Sequence, residues 1–228
     1  MKNKIMNTKE AISKIKSNDT IMVGGFGLVG APLTLIDELT KHEIEGLTVI
    51  SNNIGEAGKG LGILLRQGKI KKVVGSYFTS NREVADYYNA GEIDVQLLPQ
   101  GTLSESIRAG GAGIGGYYTK TSVGTELAKG KDVKEIDGEM YVFEKALKAN
   151  VAIVKAAKAD RLGNLVYYKT ARNFNPMMVT AADYVIAEVD EIVEVGQLSP
   201  EEIVSPHLYV DAIVESQLIL SKEGVTVK

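Results

Sequence analysis

Residues 21–32 combine a short apolar run with a glycine-rich turn, and their types suit the binding of an anion. Four glycines occur in seven positions, at Gly24, Gly25, Gly27 and Gly30. Glycine lets the backbone turn sharply and lets a ligand approach closely, and Pro32 fits the first turn of a helix. A strand, a glycine turn and a helix in this order direct backbone N–H groups at a phosphate, a carboxylate or a developing oxyanion. The alternative is a tight turn that binds no ligand.

Three amide side chains follow other predicted strands. Gln100 lies between Pro99 and Gly101, and its amide can donate to an oxyanion without titrating, a role worth about 3–4 kcal/mol. It can equally be a turn residue that hydrogen-bonds its own loop. Asn52 and Asn53 can orient a carboxylate, although helix capping and turn formation are the commoner roles of asparagine at such positions.

No acidic residue stands out as a nucleophile or general acid. Most carboxylates are predicted on helix faces or within residues 188–194, where they alternate with valine and isoleucine as at a sheet edge. Lys155, Lys158 and Arg161 are expected to form a solvated face, and residues 172–176 are expected to fix a turn. The chain therefore offers donors and a glycine turn without a convincing nucleophile.

Nucleotide-binding motifs are not supported. Residues 111–116 satisfy G-x-G-x-x-G, but that motif requires a strand before it and a helix after it. Here a predicted helix precedes the glycines and Tyr117-Tyr118-Thr119 follows, which favours a flexible loop. No G-x-x-x-x-G-K-[ST] sequence is present, so a P-loop is excluded.

Composition narrows the class of protein further. The 228 residues, 44% of them hydrophobic, allow one large or two small domains of an ordinary globular protein. A net charge of -3 gives no electrostatic footprint for nucleic acid or an anionic membrane. The absence of cysteine excludes disulfides and thiolate sites and fits a cytoplasmic location, and two histidines make a His-rich metal site improbable. Residues 1–7 lack the apolar core of a signal peptide, and no apolar run approaches membrane length.

The first half of the chain alternates short strands and helices. Predicted strands cover 20–23, 47–51, 72–75 and 95–98; predicted helices cover 9–17 (capped by Thr8), a segment after Pro32, 59–67, 82–90 (capped by Asn81) and a segment to 109 opened by a capping box at 102–105. This alternation is typical of a parallel sheet with helices on both faces. Ligands of such sheets bind beyond the carboxyl ends of the strands, where residues 24–30, 51–53 and 99–101 all fall.

The second half of the chain does not show this regular alternation of strands and helices. Residues 110–124 resemble an extended, mobile loop. Strands are predicted at 140–143, 151–154, 165–168 and 184–189, with a hairpin turn at 162–164 and a helix over 175–182. No internal repeat or linker is visible.

Residues 23–32 closely resemble the first signature of family I coenzyme A transferases of the alpha-subunit type. The resemblance continues in order through 51–53, 99–103, 107–113, 163–165, 171–176, 192–194 and Pro206, so it covers nearly the whole chain. Ser17-Asn18 departs slightly from the pair usual before the signature. The resemblance is strongest to bacterial acetate, butyrate or acetoacetate CoA-transferase alpha subunits, and it implies one domain over 1–228 with an open α/β three-layer sandwich shared with some sugar-phosphate isomerases.

The resemblance also implies a mechanism and a partner. Such enzymes move CoA from a short-chain acyl-CoA to a free carboxylate by ping-pong chemistry, with the nucleophilic glutamate of a beta subunit in a Ser-Glu-Asn-Gly context that this chain lacks. We therefore expect an α2β2 or larger assembly with CoA esters as substrates and no permanently bound cofactor. The implied catalytic residues here are Gln100 and Asn52; the implied substrate-binding residues are Gly24, Gly25, Phe26, Gly27, Leu28, Gly30 and Asn53, with Phe26 and Leu28 limiting the acyl group to a short one.

Two alternatives stay open at this point. A sugar-phosphate isomerase or deaminase of the same architecture needs a base and a phosphate loop in this one chain. A non-catalytic effector-binding protein can use the same glycine turn, although no basic helix-turn-helix accompanies it.

Overall fold

A computed structural model describes residues 3–221 and 224–228. The structure does not describe residues 1, 2, 222 and 223. The first two belong to the segment 1–7, which was predicted to lack the apolar core of a signal peptide. The strands are β1 (Thr20–Val23), β2 (Leu47–Ile50), β3 (Ile70–Gly75), β4 (Asp94–Leu97), β5 (Gly116–Thr119), β6 (Val133–Ile136), β7 (Glu139–Lys145), β8 (Ala149–Asp160), β9 (Leu165–Val166), β10 (Ala182–Val193), β11 (Ala212–Glu215), β12 (Leu218–Ser221) and β13 (Gly224–Val227). The α-helices are α1 (Thr8–Ile12), α2 (Leu33–Thr40), α3 (Leu61–Arg66), α4 (Glu83–Asn89), α5 (Gln100–Gly111) and α6 (Asn175–Thr180), and short 3-10 helices cover Glu126–Ala128, Lys169–Arg172, Pro200–Glu202 and His207–Tyr209.

A central parallel sheet organises the chain. Its strand order is β11-β10-β8-β1-β2-β3-β4, and β9 pairs antiparallel with β8. In the middle of this sheet, Ile21 of β1 is in register with Val49 of β2 and with Val151 of β8. All seven ordered strands run the same way, so their carboxyl ends share one edge. The predicted α/β fold is confirmed.

Two hydrophobic cores lie on the two faces of the sheet because successive strand side chains point in opposite directions. Ile21 and Val23 belong to the core that includes apolar residues of α1, α2 and α3. Met22 belongs to the other core, with Leu103 of α5 and Met178 of α6. Burying a side chain of this size contributes about 1.5–3 kcal/mol. The layers are therefore helix, sheet and helix, as predicted.

Three predicted helix caps are wrong. For α4, Arg82 and not Asn81 occupies the capping position. Asn7, not Thr8, caps α1, because its Oδ1 accepts the N–H of Glu10 at 2.8 Å. The capping box at residues 102–105 does not form, since α5 begins two residues earlier at Gln100 after Pro99. The Thr102 hydroxyl is buried and has no hydrogen-bond partner among the described residues. Gln100 is consequently the first residue of a helix rather than part of a loop.

Residues 110–124 do not form the long extended loop that was predicted. Gly110 and Gly111 end α5, and Gly116–Thr119 is a strand of a small antiparallel sheet, β5-β7-β6. Tyr118 packs edge-on against Phe143 of β7, with ring centroids 5.3 Å apart. These cross-strand contacts join segments distant in sequence, which is why local composition misses them. A helix before the glycines and a strand after them agree with rejection of the dinucleotide motif.

The hairpin predicted at residues 162–164 is present. The Asp160 carboxylate accepts the N–H groups of Leu162, Gly163 and Asn164, each at 3.0 Å. The run 188–194, however, is not at a sheet edge. Residues 188–193 belong to β10, which lies between β8 and β11, so Glu188 is enclosed by its neighbours.

Candidate active site

The three predicted site segments meet at the carboxyl edge of the sheet. Ser51, after β2, donates its hydroxyl to the carbonyl of Val23 at the end of β1, at 2.8 Å. Asn52 reaches across to Gln100 at the start of α5, with 3.0 Å between Nδ2 and Oε1. The parallel topology thus brings Asn52 and Gln100 into contact across 48 residues of sequence.

A chain of amide hydrogen bonds gives this site a defined direction, and we call it the amide relay. The N–H of Gly55 can only donate, and it donates to Asn53 Oδ1 at 2.8 Å. Asn53 Nδ2 then donates to Asn52 Oδ1 at 3.0 Å. Asn52 Nδ2 in turn donates to Gln100 Oε1 and to Ser76 Oγ, both at 3.0 Å. Because Asn52 is fully buried, every polar atom of its amide needs a partner.

The relay determines which end of the Gln100 amide is exposed. Its oxygen is held inward by Asn52 and lies 3.3 Å from the Ser76 hydroxyl. Its Nε2 has no hydrogen-bond partner within the described residues and lies on an exposed side chain. The position at the N-terminus of α5 adds a partial positive charge. Gln100 is therefore oriented to donate a hydrogen bond outward, and its partners are not in its own loop.

Two asparagines hold the loop of residues 24–30, which we call the glycine loop. Asn173 Oδ1 accepts the N–H of Gly25 at 3.1 Å, and Asn173 Nδ2 donates to the carbonyl of Val29 at 3.0 Å. Asn175 Nδ2 donates to the carbonyl of Gly30 at 3.0 Å. The predicted role of residues 172–176 as a turn is thus extended, because this turn also holds the glycine loop.

The glycines are required by space and by backbone conformation. Gly25, Gly27 and Gly30 have φ values of +124°, +61° and +69°, which side chains rarely adopt. A Cβ at Gly24 would lie 1.8 Å from Asn175 Oδ1. The loop is therefore packed closely against the residues that hold it.

Replacing Gly30 with alanine is expected to lower the free energy of unfolding by about 3 kcal/mol. The added Cβ would lie 2.4 Å from the carbonyl oxygen of Ala171, in addition to the strain of a positive φ. Gly27→Ala is the matched control, since its φ is also positive but no atom lies within 4 Å of the added Cβ; its expected loss is about 1 kcal/mol. Urea unfolding measures both, and equal losses would contradict the packing of the loop.

The two sides of the glycine loop differ. Phe26 is 46% exposed, whereas Leu28 is 7% exposed. The Leu28 side chain packs against Gly60 so closely that a Cβ at Gly60 would lie 2.9 Å from it. The cavity between the loop and Asn53 has a volume of about 10 Å³, room for about one water molecule. A short acyl group does not fit between the loop and Asn53. A larger cavity, of about 430 Å³, lies along residues 28–31 of the loop and is also lined by Lys155 and Tyr168.

Lys155 is not part of a solvated face, contrary to prediction. Its side chain is 14% exposed, and Nζ contacts the carboxylates of Glu188 and Asp190 and the hydroxyl of Ser216. Lys158 and Arg161 do lie at the surface, paired with Glu191 and Glu194. Alternation along β8 places Lys155 and Lys158 on opposite faces of the sheet, and Arg161 lies just beyond the end of the strand.

Sequence reasoning missed four residues around the site. They are Ser76, Asn173, Asn175 and Glu188. Only Ser76 had a usable signal, because it directly follows β3 at the same sheet edge. Asn173 and Asn175 contact the glycine loop across about 145 residues of sequence, and nothing in the local pattern indicates that contact.

The described residues contain no group of three or more histidine, cysteine or acidic residues able to hold a metal ion. Among the helices described, none has the length and apolarity to cross a lipid bilayer.

Comparison with known proteins identifies the class. A family model described as coenzyme A transferase matches residues 5–216. The chain belongs to this family, and the prediction of a CoA-transferase component is confirmed.

Individual relatives are named as subunits of CoA-transferases. The chain is 49% identical to the subunit designated A of the succinyl-CoA:3-ketoacid coenzyme A transferase of Helicobacter pylori, over 93% of this chain and 92% of the relative. It is 42% identical to the alpha subunit of the acetate CoA-transferase of Escherichia coli, over 95% and 99%. The corresponding subunit of the 3-oxoadipate CoA-transferase of Pseudomonas putida is 48% identical over 90% and 89%. These relatives favour a transferase over the isomerase and effector-binding alternatives.

Solved structures share the fold. An acyl-CoA transferase of Escherichia coli O157:H7, determined as a thioester complex with CoA, superposes with a TM-score of 0.86 at 20% identity. The match covers 99% of this chain and 50% of that one, so this chain spans about half the length of the solved transferase. Glutaconate coenzyme A-transferase of Acidaminococcus fermentans gives a TM-score of 0.82 at 22% identity, over 93% of this chain and 75% of that one.

Proposed function

We propose that this chain is the alpha subunit of a heteromeric transferase that moves CoA between a short-chain acyl-CoA and a free carboxylic acid of the acetate, butyrate or acetoacetate type. It acts with a separate beta chain in an α2β2 or larger assembly. Support comes from relatives that are named as single subunits of such transferases and that match over most of their length, and from the lack of a Ser-Glu-Asn-Gly sequence here.

The reaction proceeds in two half-reactions. A glutamate carboxylate of the beta chain attacks the thioester carbonyl, and CoA thiolate leaves, which forms a mixed anhydride. The thiolate then attacks the glutamyl carbonyl carbon and releases the first carboxylate, leaving a glutamyl-CoA thioester. The acceptor acid reverses these steps. Each attack develops negative charge on a carbonyl oxygen, so a fixed donor near that oxygen accelerates the reaction.

Gln100 is the residue that meets this need, and the directional amide relay is the observation that carries the proposal. With its oxygen held by Asn52 at 3.0 Å, Gln100 presents N–H groups to the open edge without needing to reorient during the reaction. Asn52 acts as a positioning residue for Gln100. Asn53, the preceding member of the relay, holds Asn52 in turn.

The glycine loop forms one wall of the acyl site. Gly24, Gly25, Gly27 and Gly30 let its backbone lie close to the substrate, and Phe26 contacts the acyl group from the open side. Leu28 supports the loop from behind, where it is buried. The beta chain, which carries the nucleophilic glutamate, supplies the opposite wall of the site.

The remaining proposals concern the whole chain. Residues 1–228 act as one alpha-subunit domain built on one central sheet with a core on each face. The protein is cytoplasmic, uses coenzyme A esters only as substrates, and binds no permanent cofactor, nucleic acid or membrane. The net charge of -3 and the absence of cysteine support this assignment.

The purified chain alone is expected to show no CoA transfer, and addition of its beta chain should restore it. The physical reason is that the nucleophilic carboxylate is on the other chain. Intact-mass measurement after incubation of the complex with an acyl-CoA alone locates the intermediate: the CoA adduct should appear on the partner chain and not on this one.

A partner whose Ser-Glu-Asn-Gly glutamate is replaced with glutamine is the control, and it should form the complex without the adduct. Turnover by the chain alone, or an adduct on this chain, would overturn the two-subunit proposal. Calorimetric titration of the chain with a phosphosugar tests the isomerase alternative, for which binding without a partner is expected.

A further inference from the structure

Glu188 is a fully buried carboxylate at the middle of β10. Its Oε2 accepts the backbone N–H groups of Thr34 and Leu35 at 2.9 and 3.2 Å. These N–H groups are in the first turn of α2, where backbone donors have no partner within the helix. Pro32, at the capping position of α2, makes no side-chain capping bond. Glu188 therefore performs the capping role from a strand distant in sequence.

The other carboxylate oxygen joins three more donors. Glu188 Oε1 accepts the hydroxyls of Thr34 and Ser216 at 3.1 and 2.9 Å and contacts Lys155 Nζ at 3.3 Å. Burial raises the pKa of the Glu188 carboxyl, while Lys155 and the hydrogen bonds act in the opposite direction. An isolated buried carboxylate is very costly, so this set of donors is what makes the position tenable.

Lys155 links this cluster to the asparagines that hold the glycine loop. Its backbone N–H donates to Asn175 Oδ1 at 2.9 Å, and Asn175 Nδ2 donates to the carbonyl of Gly30. Its side chain contacts Glu188. The end of the glycine loop is thus held from two sides, by Asn175 at Gly30 and by Glu188 at the start of α2.

We propose that Glu188 is a positioning residue for the transferase reaction, holding the glycine loop at its distance from the reacting thioester through the N-terminus of α2. This inference rests on the proposed function, because the loop matters to catalysis only if it forms the acyl wall. Glu188 itself touches neither substrate nor the reacting atoms. Glu188 acts on the position of the glycine loop, and the reaction rate depends strongly on how closely the reacting groups are held in position.

The test compares Glu188→Gln with Glu191→Gln in the full chain and in the complex with the beta chain. Glutamine at 188 keeps the size, but it offers the N–H groups of α2 a neutral amide oxygen, a weaker acceptor than the carboxylate. It also removes one of the two carboxylates that contact Lys155. Glu191 is the matched control, because it pairs with Lys158 between the same two strands at 2.8 Å but is about half exposed. Hydrogen exchange of residues 24–35 and steady-state kinetics are the two measurements.

The expected result for Glu188→Gln is an increase of about tenfold in exchange confined to residues 24–35. We also expect a decrease of about tenfold in kcat of the complex, with KM for the acyl-CoA changed by less than about twofold. Glu191→Gln should change neither. An increase in exchange spread evenly over the chain, or an unchanged kcat in a folded complex, would overturn the proposal.

Two further arms keep the outcome decisive. If Glu188→Gln does not yield folded protein, Ser216→Ala removes one donor to the same carboxylate, and it should raise exchange over residues 24–35 by about threefold; no change there would overturn the proposal. If the wild-type complex has no transferase activity, the proposed function fails, whereas the exchange result still decides separately whether Glu188 holds the loop.

Discussion

Gln100→Ala is expected to lower kcat of the assembled transferase by about 10²–10³, which corresponds to the loss of one oxyanion donor. The variant removes the N–H groups that the amide relay directs to the open sheet edge. Gln100 is exposed and its helix begins without a side-chain cap, so stability and assembly with the beta chain should change little. Steady-state kinetics, thermal unfolding and size-exclusion chromatography of the complex measure the three quantities.

Two variants separate loss of the donor from loss of side-chain volume. Gln100→Glu keeps the size but presents an oxygen outward, so kcat should fall at least as far as in Gln100→Ala. Gln67→Ala, an exposed glutamine at the end of α3, should leave kcat unchanged. An unchanged rate in Gln100→Ala would make Gln100 a structural residue of the sheet edge and would remove the main support for its catalytic role.

Asn53→Asp is expected to lower kcat by a similar factor, about 10²–10³, although its side chain is 3% exposed and lies one step further from the sheet edge. An aspartate at 53 still accepts the N–H of Gly55 but has no donor for Asn52. Asn52 would then turn its amide to donate to residue 53 and present its oxygen to Gln100. Gln100 would turn as well, exposing an acceptor where the oxyanion needs a donor.

A double-mutant cycle tests this reversal directly. In the Gln100→Ala background, Asn53→Asp should lower kcat by no more than about threefold, because the group that it reorients is already gone. Thermal unfolding of each variant corrects for the cost of placing a charge at a buried position. If the decreases in kcat of the two single variants add in full in the double variant, Asn53 affects the site by another route. The amide relay would then not determine which end of the Gln100 amide faces outward.

The elements that were predicted well are those with a strong local signal. Residues 20–23 form a strand and the segment after Pro32 forms a helix, because a short β-branched run and an apolar period of helical spacing each favour one structure. The capping box at 102–105 was wrong, since Thr102 has the right residue type but Pro99 starts the helix earlier. The place where α5 begins is set by where the preceding strand ends, and this tertiary constraint overrides the local capping preference of Thr102.

The candidate site was predicted in part for a similar reason. Parallel strands bring their carboxyl ends to one edge, so the order of elements alone placed Asn52 near Gln100. The prediction that Lys155 and Glu188 are exposed was wrong. A charged residue on a strand is expected to be exposed unless the neighbouring strands are known. Here β8 and β10 are both interior, and the charges compensate each other within the fold.

The amino-acid sequence by itself determined the family, the alternating α/β architecture and the positions of the loop glycines, because each is carried by residue types in local order. The tertiary structure alone decided the direction of the amide relay, the hold of Asn173 and Asn175 on the glycine loop, and the burial of Glu188 against α2. Apart from the local bonds among Asn52, Asn53 and Gly55, these contacts join residues about 25 to 150 positions apart. Hydrogen-bond direction depends on which donors and acceptors meet, and only the folded sheet brings them together.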